Sequence, residues 1–219
     1  MPRLLFEKTG NAIFISHLDL MRLFQRAFKR AGLPLTHTQG YNPRPSVSIA
    51  LPLSVGVESR CELLDFDLYG EKIPNAEILA KLNEALVVGV KVLDVYDQGS
   101  KIKNLAYLDC IVSLEYDKGI PEHAQENIQA LFSQETVTVE KKSKNGIREE
   151  NIVPMIRSLK ICAADDHTLE LHARVCCQNP TLNPMQLSAA IEKYLPHCKA
   201  DFVKCSRQEI YDTNENLFR

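Results

Sequence analysis

The residues best suited to chemistry in this sequence lie between positions 8 and 45. His17 and Asp19 stand two positions apart, and an imidazole beside a carboxylate can transfer protons as a general acid and base. A Ser-His-Asp relay with Ser16 is not expected, because neighbouring residues at the start of a helix cannot align in series. His17 and Asp19 are therefore the candidate catalytic residues; the alternative is that they only begin and cap a helix.

A second set of candidates is basic. Arg22, Arg26 and Arg30 recur at intervals of four, so a helix would place them in one stripe. The planar guanidinium group suits phosphate oxygens. Residues 1–60 contain eight Lys and Arg against three Asp and Glu, whereas the rest of the chain is acidic. This asymmetry predicts an anionic or nucleic-acid partner for the first third, and an ordinary solvated face is the alternative.

The segment Gln39-Gly40-Tyr41-Asn42-Pro43-Arg44-Pro45 is the strongest single indication of binding. Two prolines stiffen it, and glycine permits an unusual backbone angle. Its polar and aromatic side chains can donate, accept and stack on a base, a mixture that a plain connection does not need. The predicted ligand-binding residues are Lys8, His17, Arg22, Arg26, Arg30, Gln39, Tyr41, Asn42 and Arg44.

The elements that position these residues follow from hydrophobic spacing. Ser16 is a helix N-cap with Asp19 in the capping-box position, and Gly32 ends the helix. The order in the first half is strand, helix, strand, strand, helix, strand, which is that of the ferredoxin-like or split βαβ fold. The predicted elements are strands 3–7 and 12–15, helix 17–31, strands 47–53 and 61–69, helix 76–85 and strand 90–96.

The second half repeats this order once an inserted hairpin at about 136–153, with a polar turn over 142–146, is set aside. We therefore predict an α+β protein of two tandem ferredoxin-like units with antiparallel sheets, 1–98 and 99–219. The predicted elements of the second unit are strand 107–116, helix 121–132, the hairpin, strands 157–163 and 168–177, helix 183–195 and strand 200–211.

Composition excludes several classes of function. The cysteines number seven, which is odd, and no two of them form a Cys-x-x-Cys pair. The histidines other than His17 are scattered along the chain. We therefore predict buried reduced thiols, no metal and no cofactor. No glycine-rich phosphate loop or dinucleotide fingerprint is present. Without a long apolar run or a signal-peptide pattern, a cytoplasmic protein with no membrane partner is expected.

Five short motifs stand out between residues 6 and 59. They are Phe6-x-Lys8-x-Gly10, Phe14-Ile15-Ser16-His17-Leu18-Asp19, Arg26-x-x-x-Arg30-Ala31-Gly32-Leu33-Pro34, Gln39-Gly40-Tyr41-Asn42-Pro43-x-Pro45 and Pro52-Leu53-x-Val55-Gly56-Val57-x-Ser59. These motifs resemble a family of uncharacterised bacterial domains that are fused to radical SAM proteins or encoded beside them. The resemblance implies a radical SAM partner but no particular reaction. A Cys-x-x-x-Cys-x-x-Cys motif is absent from this chain, so the partner would hold the iron–sulfur cluster.

A second resemblance concerns Leu82-Asn83-Glu84-Ala85-Leu86 and the tandem layout. Both are similar to tRNA pseudouridine synthases that act on the anticodon arm. Those enzymes use a catalytic aspartate in an Arg-Thr-Asp-Ala-Gly-like motif, which this sequence lacks. The second resemblance therefore implies an RNA-binding scaffold without that catalytic residue.

Three functions remain open at this point. The favoured one is a binding or adaptor module, not catalytic on its own, that works with a radical SAM protein and engages RNA or another anionic ligand through residues 8–48. The second is an RNA-modifying enzyme that uses His17 and Asp19. The third is a structural subunit that docks through its acidic second half.

Overall fold

The computed structural model describes residues 1–143 and 146–219. The protein is α+β, as the alternation of strand and helix patterns predicted. It divides into two compact units. Unit 1 contains residues 1–104 together with 217–219, and unit 2 contains residues 105–216.

Unit 1 places two helices and a sheet in the predicted order. The sheet order is β4-β1-β3-β2, and the neighbouring strands are antiparallel. Arg3 pairs with Asp65 at one end of β1, and Lys8 pairs with Ser59 at the other end. The elements are β1 (Arg3–Lys8), α1 (His17–Arg30), β2 (Val47–Ile49), β3 (Val57–Phe66), α2 (Asn75–Ala85) and β4 (Val90–Tyr96).

Two predicted strands of unit 1 are replaced or shortened in the structure, and the strand predicted at 61–69 lies instead at Val57–Phe66. Residues 12–15, predicted as a strand, belong mainly to a 3-10 helix over Gly10–Phe14. The backbone turns there because Gly10 has a φ of +54° and the amide of Ala12 donates to Thr9 at 3.1 Å. The strand predicted at 47–53 ends at Ile49. Both errors arise because a short apolar run does not by itself distinguish a strand from a buried turn.

Helix α1 packs its apolar face onto the sheet of unit 1. Leu20, Phe24, Ala27 and Phe28 are buried, and their spacing places them on one side of a helix. The rings of Phe6 and Phe24 meet edge to face, with centroids 4.7 Å apart. This packing leaves Asp19, Arg22, Arg26 and Arg30 on the exposed side.

Unit 2 repeats the same order of elements around an inserted hairpin. Its main sheet has the order β10-β5-β9-β8, again with antiparallel neighbours, and β6 pairs with β7 as the predicted hairpin. The turn predicted over 142–146 includes residues 144–145, which lie outside the described residues. The elements are β5 (Leu105–Glu115), α3 (Ala124–Phe132), β6 (Thr138–Ser143), β7 (Gly146–Asn151), β8 (Ile156–Ala163), β9 (Thr168–Cys176), α4 (Met185–Tyr194) and β10 (Phe202–Asp212).

Strand β9 shows how the unit 2 sheet separates an apolar face from a polar one. Side chains alternate between the faces of a strand. The buried face carries Leu169, Leu171, Ala173 and Val175. The half-buried face carries Thr168, Glu170, His172, Arg174 and Cys176.

The helices of residues 1–143 and 146–219 are too short or too polar to cross a membrane.

Candidate functional site

Ser16 and Asp19 cap the start of α1. The amide of Asp19 donates to Ser16 Oγ at 3.2 Å, and this hydroxyl donates to Asp19 Oδ2 at 2.7 Å. Arg22 Nη1 donates to Asp19 Oδ1 at 2.9 Å. The Ser16 hydrogen bond, followed by the one from Arg22, lowers the pKa of Asp19 below its usual value. The carboxylate is therefore committed to the helix start, and a general base with a lowered pKa is weak near neutral pH.

His17 occupies the first position of α1 and is half-buried. Its Nδ1 atom is buried, and within the described part of the chain no group forms a hydrogen bond with it. A buried polar atom in this state is uncommon and can mark a functional group. Of the two predicted catalytic candidates, His17 is therefore the one with hydrogen-bonding capacity to spare.

The cap gives a direct test of how Asp19 is held. We expect Ser16→Ala to lower the free energy of unfolding by about 1 kcal/mol, because it removes the N-cap acceptor. It should also raise the pKa of Asp19 toward the ordinary value. A carboxyl group whose pKa is lower in the folded state than in the unfolded state stabilises the fold at pH values above its unfolded-state pKa. That stabilisation is lost as the pH falls through the folded-state pKa. The variant should therefore show a weaker loss of stability at acidic pH.

Urea unfolding at neutral and acidic pH, together with an NMR titration of Asp19, measures both effects. Ser48→Ala is the matched control, because Ser48 is exposed on β2. An unchanged Asp19 pKa in Ser16→Ala would contradict the assigned cap.

An open groove of about 470 Å³ runs along the polar side of α1. The predicted arginine stripe borders this groove, which we call the α1 groove. The Asp19 carboxylate and three aliphatic side chains provide the rest of its lining. The lining consists of Ile15, Asp19, Arg22, Leu23, Arg26, Arg30 and Val87.

The three arginines differ in how far the protein itself engages them. Arg22 is paired with Asp19, although both side chains are more than 60% exposed. Arg30 Nη2 donates to the carbonyl of Ala85, the last residue of α2, at 2.6 Å. Arg26 is exposed, and no described residue accepts a hydrogen bond from it. Arg26 is therefore the arginine most available to a ligand.

Lys8 does not stand on the surface as a turn lysine. It is the last residue of β1 and is completely buried. Its Nζ atom donates to the carbonyls of Ile13, Ile15 and Ser54 at 3.0, 3.2 and 3.5 Å. This placement argues against direct contact between Lys8 and a ligand and gives the residue a structural role at the start of α1.

The loop over residues 39–45 is closed at its base and exposed at its tip. The amide of Thr38 donates to the Arg44 carbonyl at 2.8 Å, and the amide of Arg44 donates to Thr38 Oγ1 at 3.0 Å. Gly40 has a φ of +146°, which glycine adopts at no steric cost. Tyr41 is fully exposed. The side chains presented to solvent are Gln39, Tyr41, Asn42 and Arg44.

The loop and His17 are attached to opposite ends of the unit 1 sheet. The amide of Thr36, just before the loop, donates to Asp67, which follows β3 beside the Arg3 end of β1. His17 begins the helix held by Lys8, at the other end of β1. Six residues of strand separate the two ends by about 17 Å. The base of the loop and the start of α1 thus lie at opposite ends of the unit 1 sheet.

Sequence reasoning missed the aliphatic part of the α1 groove. Ile15, Leu23 and Val87 line it, and Val87 comes from the connection between α2 and β4. No local signal relates residue 87 to α1, because their proximity depends on how the two helices pack.

Comparisons with known proteins identify a family and a fold. A family model described as "Uncharacterized protein conserved in bacteria (DUF2344)" matches residues 2–184. No curated protein matches the sequence. A chain of the "Crystal Structure of a Cbf5-Nop10-Gar1 Complex" is 8% identical with a TM-score of 0.52, over 95% of this chain and 48% of that chain. This chain therefore spans about half the length of that one, and the likeness concerns the fold alone.

A second solved structure, of an unknown protein from Galdieria sulphuraria, is 10% identical over 94% of this chain and 96% of that chain. Its TM-score is 0.26, which is too low to inform the fold.

Proposed function

The chain belongs to the DUF2344 family of uncharacterized bacterial proteins, and from its own residues we propose that it is a binding module that holds RNA in the α1 groove. The observation that carries this proposal is the convergence of Arg22, Arg26 and Arg30 on one open groove. Successive members of the stripe lie one helical turn, about 5–6 Å, apart. A row of like charges at this spacing is best neutralised by a ligand that carries several phosphates.

The aliphatic part of the groove favours a nucleotide over a simple anion. Ile15, Leu23 and Val87 lie in the same lining as the arginines, and Val87 remains 43% exposed. A ligand that covers exposed apolar surface beside charged groups forms a more stable complex, because that apolar surface leaves water. A nucleotide chain offers both parts, since its phosphates can face the guanidinium groups while a base packs on the aliphatic side chains.

The exposed loop supplies a second contact for an extended ligand. Tyr41 projects fully into solvent, and an exposed aromatic ring can stack on an unpaired base. Because the base of the loop lies at the other end of the sheet from His17, loop and groove would contact different parts of one strand. This arrangement favours a single-stranded or looped RNA several nucleotides long.

We assign both units to the ferredoxin-like fold, on the strength of the order β4-β1-β3-β2 in unit 1 and β10-β5-β9-β8 in unit 2. This fold supports many functions, so it adds little to the case for RNA. The similarity to a chain of the Cbf5-Nop10-Gar1 complex supports the fold in the same way and brings no activity to this protein.

A radical SAM protein is the proposed partner. The support is the resemblance of the motifs around residues 6–59 to domains linked to such proteins. Co-purification of the two proteins after nuclease treatment would support direct binding. If nuclease treatment separates the two proteins, they only bind the same RNA and are not direct partners.

Salt-dependent binding of a single-stranded RNA tests the groove. We expect Arg26→Ala to weaken binding and to reduce the slope of log K against log salt by about 0.7, the value for one phosphate contact with a single strand. Lys29→Ala is the matched control. It removes the same charge from an exposed position on the same helix, but Lys29 does not line the groove. Fluorescence anisotropy at several salt concentrations measures both quantities.

Tyr41→Ala should weaken binding of unpaired RNA with no change in the salt slope, because stacking involves no counterion release. If Arg26→Ala and Lys29→Ala reduce affinity and slope equally, the attraction comes from general positive charge and the groove is not the site.

A further inference from the structure

Unit 2 brings three metal-ligating side chains together on the polar face of its sheet. Cys162 lies on β8, and Glu170 and His172 lie on β9. Their ligand atoms all lie within 4.8 Å of one another. The three side chains are half-buried, so they are partly shielded from water and still accessible to an ion.

The backbone of the β8–β9 hairpin fixes this juxtaposition. Cys162 is the direct cross-strand partner of Glu170, and directly opposed side chains share a face of the sheet. His172 follows Glu170 by two residues and therefore projects from the same face. The amide of Ala164 donates to the carbonyl of Thr168 at 2.9 Å, which closes the hairpin beside the cluster. The register of the strands thus positions the ligands before any ion binds.

The donor atoms suit zinc. Zinc takes thiolate sulfur, imidazole nitrogen and carboxylate oxygen at about 2.0–2.3 Å, which places donor atoms about 3.5 Å apart in a tetrahedral site. His172 Nε2 and Glu170 Oε2 are already 2.8 Å apart. Small side-chain rotations would therefore accommodate the ion, with the thiol proton of Cys162 and any proton between Glu170 and His172 released to solvent as it binds.

We propose that Cys162, Glu170 and His172 bind a Zn²⁺ ion in a three-ligand site with an open coordination position. His172 also lines a groove of about 410 Å³ on this sheet. Sites with three protein ligands hold water or another small ligand in the fourth position, and here that position would face the groove. The inference is independent of the proposed RNA binding, which rests on unit 1.

The surroundings of the cluster are compatible with a dication. On β5, Ser113 stands opposite Glu170 and Ile111 stands opposite His172, and neither side chain carries a charge. On β8, Lys160 stands opposite His172. Lys160 is exposed, so its long side chain can extend into water and its repulsion of the ion is screened.

The prediction of no metal rested on the absence of ligand residues close together along the chain. The only local signal is Glu170-Leu171-His172, a pair of ligands at strand spacing. The cysteine is eight residues away from Glu170 and joins them only through the hairpin register.

Zinc titration of the metal-free protein tests the proposal. Calorimetry should show one Zn²⁺ bound per chain, and Co²⁺ substitution should give a thiolate-to-metal absorption band that disappears in Cys162→Ser. Cys162→Ser and His172→Ala should each weaken Zn²⁺ binding at least tenfold. Cys176→Ser is the matched control, because Cys176 is a half-buried thiol on the same face of β9 outside the cluster, and it should bind zinc as the natural protein does.

Glu170→Gln covers the case in which another variant fails to fold. The amide can still form a hydrogen bond with His172 but lacks the negative charge, so it should lower zinc affinity while the circular dichroism spectrum is unchanged. The proposal is overturned if the natural protein binds no stoichiometric zinc, or if Cys176→Ser lowers affinity as much as Cys162→Ser.

Discussion

Replacing Lys8 with methionine should lower the free energy of unfolding by about 3 kcal/mol. The side chain is completely buried, and its ammonium donates to the carbonyls of Ile13, Ile15 and Ser54. Methionine fills a similar volume but cannot donate, so these carbonyls lose the ammonium donor, although the Ile13 carbonyl still accepts from the amide of Gly56. Hydrogen bonds from a charged group contribute about 1.5–3 kcal/mol each, and their loss is offset in part because the lysine charge no longer has to be buried.

Chemical denaturation of Lys8→Met and Lys29→Met separates this effect from a change in net charge. Lys29 is exposed on α1, and its replacement should change stability by no more than about 0.5 kcal/mol. Hydrogen exchange should show that the loss in Lys8→Met begins around residues 13–16, where Lys8 secures the backbone before α1. Equal stability of the two variants would mean that Lys8 does not organise the helix start.

Asp65→Ala should destabilise the protein by about 3–4 kcal/mol, the second large effect. Arg3 is only 2% exposed, and its Nε and Nη2 atoms donate to the two oxygens of Asp65 at 2.6 and 3.0 Å. Removing the carboxylate leaves a buried guanidinium charge without its counter-ion. The free-energy cost of that unpaired charge is much larger than the stability that the intact ion pair adds relative to a neutral pair of residues. The Arg3 guanidinium also lies over the ring of Phe218 at 5.3 Å, so residues 217–219 should become exposed to carboxypeptidase in this variant.

The exposed pair Arg22–Asp19 provides the contrast. Its N···O distance of 2.9 Å resembles that of the buried pair, but the two side chains are 64% and 61% exposed. Exposed ion pairs contribute little because water already solvates both charges. Arg22→Ala should therefore leave the denaturation midpoint nearly unchanged. A large loss in Arg22→Ala, or a small loss in Asp65→Ala, would contradict the role of burial.

The course of α1 shows how much of the fold could be predicted. The predicted helix over 17–31 occupies His17–Arg30, with Ser16 as its cap. The prediction succeeded because both signals are local: the apolar residues repeat at helical spacing, and the cap bonds within one turn. The 3-10 helix at Gly10–Phe14 could not be predicted in this way, since an apolar run of four residues fits a strand equally well.

The candidate sites show the limit of local reasoning more clearly. The arginine stripe was predictable, because its spacing of four defines one face of a helix in any packing arrangement. Lys8 was not, since sequence indicates a charged residue beside a glycine turn but not which carbonyls surround it. The chain folds three backbone acceptors around the buried Lys8 ammonium group, and these acceptors come from positions as far apart as 13 and 54.

By itself, then, the sequence determined the α+β class, the face of α1 that carries the arginines and the composition of the loop at 39–45. These features depend on periodicity and on residue type, which act over a few positions. Only the tertiary structure decided that His17 and that loop stand at opposite ends of a sheet, that Val87 completes the α1 groove, and that Cys162 meets Glu170 and His172. Those relations depend on strand register and helix packing, which join residues that no local pattern connects.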